Sequence, residues 1–264
     1  MQDRAALSRL LEWQVAMGAD EAILGEPRDR LQSTTQPAAR PVAPTMPTAA
    51  VIVPAAPTAQ STVLASARAL ADAAKDLAEL RAAVEAFDGC SLRRTATHTV
   101  FADGNPGAPL MLIGEAPGAD EDRIGRPFVG RSGQLLDRML AGIGISRAEN
   151  AYITNILFWR PPGNRKPTPE ETAICLPFVW RHIALLRPKI VVLCGGTATA
   201  ALLNRTDGIT RLRGRWFDLA VAGLSQPVLT MATYHPSFLL RAPAHKSESW
   251  HDLLLIQSKL PPSK

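Results

Sequence analysis

Residues 109–118 read Pro-Leu-Met-Leu-Ile-Gly-Glu-Ala-Pro-Gly, a short apolar run that stops at glycine, a carboxylate and proline. A continuous apolar run of this length, bounded by turn residues, fits a strand buried on both faces, as parallel sheets require. Three more runs repeat the pattern, at 151–157 (Ala-Tyr-Ile-Thr-Asn-Ile-Leu), 190–194 (Ile-Val-Val-Leu-Cys) and 228–234 (Val-Leu-Thr-Met-Ala-Thr-Tyr). Helical spacing follows at about 131–143, 168–186, 197–204 and 247–258. The second of these opens on Thr168, Pro169, Glu170 and Glu171, which supply a cap, a first-turn proline and acidic groups for the positive end of the helix dipole. Strand and helix alternation predicts one α/β domain with a mainly parallel sheet.

Working outward, the chain has 264 residues, of which 46% are hydrophobic and 20% charged, enough for one ordinary core or two small ones. Seven prolines crowd residues 27–57 among Ala, Thr and Gln. Such a stretch buries little surface and donates few backbone hydrogen bonds, so residues 27–62 read as a linker. Before it, Leu7, Leu10, Leu11, Val15 and Met17 suggest a short helix within 1–26. After it, Leu64, Ala67, Leu70, Ala71, Ala74, Leu77 and Leu80 predict a helix over 63–85 that opens the main domain, 63–264. No apolar stretch nears the roughly 20 residues of a membrane span, and no basic region precedes an apolar run at the N-terminus. The expectation is a cytoplasmic protein. Lys and Arg outnumber Asp and Glu by 29 to 24, a balance suited to a polyanionic partner. Cys90, Cys175 and Cys194 lack CxxC spacing, which excludes a disulfide scaffold and an ordinary four-cysteine metal site.

Ligands of open α/β sheets bind at the carboxyl ends of the strands. There the sequence places Glu115, Glu121 and Asp122 among glycines, then Phe128, a flat apolar face, and Asn155, a side chain with one donor group and one acceptor. Arg160, Asn164, Arg165 and Lys166 form a rigid basic turn around Pro161, Pro162 and Gly163. His235, Leu239, Leu240 and Arg241 follow the last run. Taken singly, a Gly/Pro loop is ordinarily only a turn, a Phe ordinarily core, and a His before Pro ordinarily structural. Three polar signals converging on strand C-termini point to a common pocket. The first loop lacks GxGxxG and no Walker pattern occurs, against an unrelated nucleotide-binding enzyme.

The combination of Gly-Glu-Ala-Pro-Gly at 114–118, Glu121-Asp122, Gly-Arg-Pro-Phe-Val-Gly at 125–130, Tyr-Ile-Thr-Asn at 152–155, Arg-Pro-Pro-Gly-Asn-Arg at 160–165 and His-Pro-Ser at 235–237 resembles the type-4 uracil-DNA glycosylases. The likeness runs from Phe87 to the last helix, with the motifs in the family's order. It implies a three-layer α/β/α fold around a central, mainly parallel four-stranded sheet. It also implies an enzyme that flips uracil out of DNA and hydrolyses the N-glycosidic bond, leaving an abasic site for base excision repair. By resemblance, Phe128 stacks on the base, Asn155 bonds its pyrimidine edge, and His235 stabilises charge near O2. Glu115 and Ala116 line the pocket. Either Glu115 or Glu121 offsets sugar charge or positions water, and Glu121 is alternatively a wall against thymine. Arg160, Asn164, Arg165 and Lys166 lie near the DNA backbone, with Leu239, Leu240 and Arg241 as the wedge into the duplex.

One departure stands out. The family's 4Fe-4S cluster has four cysteine ligands, and the matching positions here are Phe87, Cys90, Trp159 and Cys175. With two ligands replaced by aromatics the expectation is no cluster and no metal, Cys194 being a core residue. Further expectations are a monomer, DNA as partner, no membrane, and a repair or replication protein docking through the N-terminal helix and linker. A competing reading is a DNA-binding remnant without catalysis.

Overall fold

The structure, a computed structural model, describes residues 59–260. The helix expected within 1–26 and the linker up to residue 58 lie outside the described residues. Helix α1 (Ala59–Ala73) starts inside the stretch assigned to the linker, and α2 (Leu77–Ala86) follows it. The single helix expected over 63–85 is therefore two. Asp76 explains the break: in extended conformation, it accepts a 2.8 Å hydrogen bond from Glu79 N and caps a new helix. The apolar spacing carries across the kink, so periodicity alone could not reveal it.

The remaining elements are β1 (Asp103–Gly104), β2 (Leu110–Gly114), α3 (Ala119–Ile124), α4 (Arg131–Ala141), β3 (Ala151–Asn155), α5 (Pro169–Leu186), β4 (Ile190–Cys194), α6 (Gly196–Leu203), α7 (Ile209–Leu212), β5 (Trp216–Leu219), β6 (Val228–Thr233), α8 (Pro236–Arg241) and α9 (Lys246–Lys259). The sheet order is β1-β3-β2-β4-β6-β5. Its centre is the four expected strands, all parallel. Two short antiparallel edges extend the expected four strands to six, β1 against β3 and β5 against β6.

Every residue of β2, β3 and β4 is buried, as the continuous apolar runs require. Alternate residues serve opposite faces. Met111, Ile113, Val191 and Leu193 pack in one core with Leu80, Val84, Phe178, Val179 and Ala198 of α2, α5 and α6. Leu110, Leu112, Ile190 and Val192 pack in the other with Leu136 and Leu140 of α4 and Leu253 and Ile256 of α9. This is the three-layer arrangement. From β2 the chain passes to β3 on one side and later to β4 on the other. That reversal opens a crevice at the carboxyl ends of β2 and its neighbours.

Candidate active site

The crevice is a cleft of about 880 Å³ lined by Glu115, Ala116, Phe128, Asn155 and His235, with Asn164, Arg165, Lys166 and Arg241 also on its walls. Four strand ends build it. Gly114 closes β2 and pairs in register with Asn155 at the end of β3. A Cβ at Gly114 would collide with Asn155 Oδ1 and approach the Phe128 ring to 2.6 Å, so only glycine lets both side chains close over this strand. Asn155 is 1% exposed, and its Oδ1 is buried without a hydrogen-bond partner among the described residues. An unpaired buried acceptor is costly, and this one sits in a residue that lines the cleft.

Phe128 holds a left-handed backbone, φ +54°, rare for a bulky residue. Its carbonyl accepts a 2.8 Å hydrogen bond from Arg147, which also donates to Pro127 O at 3.1 Å and is itself held by Asp103 and Asp137, both at 2.8 Å. On the other side, a Cβ at Gly133 would overlap the Phe128 carbonyl. The strained conformation is therefore over-determined by its surroundings.

The two carboxylates left open by the sequence have different surroundings. Glu121 Oε1 accepts from Val129 N (2.9 Å) and Gly130 N (2.8 Å), and Oε2 from Gly118 N (3.1 Å). These bonds tie the loop after β2 to the loop that carries Phe128. Glu121, expected as a catalytic group or pocket wall, does line the cleft, and its carboxylate also braces the backbone of both loops. Glu115 is half-buried on the cleft wall and accepts a hydrogen bond from Thr197 Oγ1.

His235 is the cap residue of α8. Its Nδ1 accepts from Ser237 N at 3.1 Å and lies 2.9 Å from Ser237 Oγ. A backbone N–H can only donate, so the proton of the neutral ring sits on Nε2. The ring lies 5.4 Å from that of Phe128, at 28°. Burial, then the charge of Arg241, pushes the His235 pKa down to about 4. His182, packed against Phe101 at 4.6 Å and bonded to Tyr152 Oη at 2.8 Å, is pushed down to about 3 by burial. Both are neutral in the fold and take up protons near 6.5 when exposed. The unfolded chain therefore binds more protons below that value, and stability falls with acid. Urea denaturation is expected to show a midpoint that drops steadily from pH 6.5 to pH 5, each histidine contributing at most about 1.4 kcal/mol per pH unit. A midpoint unchanged across that window would contradict the buried neutral rings.

Arg160 is not among the residues lining the cleft, but its Nε donates to Oδ1 of Asn164, which is, at 2.7 Å. Arg165 forks onto Glu171 at 2.6 and 2.9 Å and holds that carboxyl below its ordinary range. It is therefore paired within the protein, whereas Lys166 and Arg241 are exposed charges on the cleft wall. The expected wedge needs correction. Leu239 is 0% exposed, packed with Leu135 and Tyr234, whereas Leu240 is 36% exposed. Consecutive residues of a helix point about 100° apart, so α8 buries one leucine and presents the next.

Phe87, Cys90, Trp159 and Cys175 are all buried in one core. The Phe87 ring meets Phe178 edge-on at 5.3 Å, and Trp159 Nε1 donates to Thr99 Oγ1 at 3.0 Å. Two thiols and two aromatic rings do not fit a site that needs four thiolates.

Arg147 and Thr197 were not found from sequence. Nothing local marks Arg147, whose partners lie 10 to 44 residues away. Thr197 carried a signal: it follows Gly195-Gly196 directly after β4, at the same end as the other loops.

A sequence model described as the Uracil DNA glycosylase superfamily matches residues 101–254. The chain is similar to a protein named type-4 uracil-DNA glycosylase from Pyrobaculum aerophilum, with 36% identity over 184 residues, 68% of this chain and 92% of that one. It is 41% identical over 163 residues to the protein of that name from Archaeoglobus fulgidus, covering 60% and 80% of the two chains. The Thermotoga maritima protein of that name is 40% identical over 159 residues, with the same coverage.

Proposed function

Because the chain belongs to the uracil DNA glycosylase superfamily, we propose that it is a uracil-DNA glycosylase, a monofunctional hydrolase of the N-glycosidic bond, and that its cleft receives a base flipped from DNA. The observation that carries this reading is the orphaned Asn155 Oδ1, buried at the cleft wall beside Phe128 and His235. The imide N–H of uracil is the donor that this acceptor lacks. Cytosine presents a bare ring nitrogen at the same place, and would leave the acceptor unpaired.

In this reading the base rests against Phe128. His235 donates from Nε2 to O2 as negative charge leaves with the base, without first losing a proton. Glu115 accepts the proton of the attacking water, while Glu121 braces the loops around it. Ala116 lines the pocket. Arg160, Asn164, Lys166 and Arg241 follow the phosphates, and Leu240 enters the gap left by the flipped nucleotide. The cleft exceeds what one base needs, which suits the flanking backbone. The non-catalytic remnant is not favoured, since relatives matched over most of their length are named as glycosylases.

The proposal includes a chain that folds without an iron–sulfur cluster, its place taken by Phe87 and Trp159. It also includes a cytoplasmic monomer that meets a repair or replication protein through residues 1–62. Among the described residues, no helix is long and apolar enough to cross a membrane. The test is incubation with single-stranded and duplex oligonucleotides carrying one uracil, followed by alkali. Scission at uracil is expected, with none at cytosine or thymine, from anaerobically purified protein that carries no stoichiometric iron or sulfide. Intact strands at high enzyme concentration would overturn the activity, and a stoichiometric cluster would overturn the filled core.

A further inference from the structure

We propose that Thr197 is a positioning residue for the hydrolysis: its hydroxyl fixes the Glu115 carboxylate at the angle from which it takes a proton from water. The inference rests on the reading of Glu115 as the group that handles water. The step it serves forms a bond from the water oxygen to C1′ of the deoxyribose. The C1′–N1 bond breaks, its electron pair leaves with uracil, and the water proton passes to Glu115.

Glu115 is pinned from two sides. Its main chain belongs to the β2 end, where Gly114 O accepts from Ile156 N at 2.9 Å and Glu115 O accepts from Leu157 N at 3.1 Å. Its side chain would still rotate about its own bonds, since a half-buried carboxylate on a loop has several rotamers. Thr197 Oγ1 removes that freedom by donating to Glu115 Oε2. A hydroxyl has one proton to give, and here it is spent on Oε2. Oε1 is then the oxygen left for water.

Thr197 is a firm anchor because its own backbone is fixed. It is the second residue of α6, directly after β4. Gly195, at φ +95°, donates its N–H to Thr233 O at 2.8 Å, and its carbonyl accepts from Thr199 N at 3.2 Å and Thr199 Oγ1 at 2.8 Å. The same glycine makes room for the imidazole, since a Cβ there would come within 3.0 Å of His235 Cβ. One loop thus holds the hydroxyl that fixes the carboxylate and lies against the imidazole. A purely structural threonine needs only a local backbone acceptor, as Thr199 has. Thr197 reaches instead to a carboxylate 82 residues away in sequence, just past the end of the neighbouring strand β2.

Thr197→Val keeps the shape and removes the donor, Thr197→Ser keeps the donor, and Glu115→Gln removes the base. Each is measured in single-turnover assays with a single-stranded uracil oligonucleotide, beside a thermal melt. Thr197→Val is expected to lower the maximal rate about tenfold to a hundredfold, the cost of a misplaced catalytic group. Half-saturation is expected to stay within about threefold and the melting temperature near that of the parent, because the lost hydrogen bond acts after binding. Thr197→Ser is expected to recover most of the rate. The double variant Thr197→Val, Glu115→Gln is expected to be no slower than Glu115→Gln alone, since an orienter has nothing to orient once the base is gone. A full-rate Thr197→Val beside a crippled Glu115→Gln would overturn the positioning role and leave the function of Glu115 standing. A full-rate Glu115→Gln would overturn the reading of Glu115 and the role of Thr197 with it. Loss in Thr197→Val that serine does not restore, or that tracks a fall in melting temperature, would make the threonine structural and also overturn the inference.

Discussion

Asn155→Ala is expected to lower kcat/KM for uracil excision by about 10²- to 10³-fold while leaving the fold at least as stable as before. The two halves of this result have one cause. Asn155 is 1% exposed and its Oδ1 has no partner among the described residues, so the empty protein carries the desolvation cost of that acceptor. A buried acceptor left unpaired costs about 1–3 kcal/mol, and alanine removes that penalty in exchange for a small cavity. In the proposed reading the imide N–H of uracil repays the acceptor, and cytosine is discriminated against because it cannot. A variant that melted far below the parent would make Asn155 a structural residue. One that retained uracil excision within tenfold would remove it from base recognition. Both are read from a thermal melt and a single-turnover assay on the same preparation.

His235→Ala is expected to lower the maximal rate by about 10²- to 10³-fold, the usual effect of deleting one donor to a developing anion, with far less change in half-saturation. The imidazole is neutral over the working range, since burial, aided by Arg241, holds its pKa at about 4. The parent's rate is therefore expected to show no inflection near pH 6.5, where an ordinary histidine titrates. A histidine acting as the water's base would instead lose activity on protonation, producing an acid limb. Because His235 also caps α8, its removal carries a stability cost of about 1 kcal/mol, which the melt separates from the catalytic loss. A limb near pH 6.5 that vanished in the alanine variant would reverse the assignment from donor to base.

The parallel centre of the sheet was legible because burial on both faces leaves a plain trace, a near-continuous apolar run. The edges were not. In β5, Trp216 and Phe217 are half-buried and Asp218 is exposed, so the strand lacks both a continuous run and a clean alternation. Strand β1 has only two residues, Asp103 and Gly104. In the site, Phe128, Asn155 and His235 were picked out in the sequence as candidates in the loops at or after strand ends, and the structure brings the three to one cleft. What stayed hidden depended on where a side chain reaches. Leu239 and Leu240 are identical in sequence, and only the phase of a six-residue helix decides which one is buried. Glu115 and Glu121 are likewise both carboxylates in the short stretch after β2. Backbone amides of a neighbouring loop occupy one, and a hydroxyl from the loop after β4 holds the other.

The three amide bonds to Glu121 have a mechanical consequence. Through them the lip that bears Glu115 and the lip that bears Phe128 share one clasp. Neither lip can swing open by itself without stripping a buried carboxylate of its donors, so the clasp favours a rigid mouth over a pair of jaws. If the cleft receives a flipped base as proposed, the deformation that admits it falls on the nucleic acid. Capture should keep pace with how readily a nucleotide leaves its stack, quickest in a loose or unpaired strand and slowest in a well-stacked duplex.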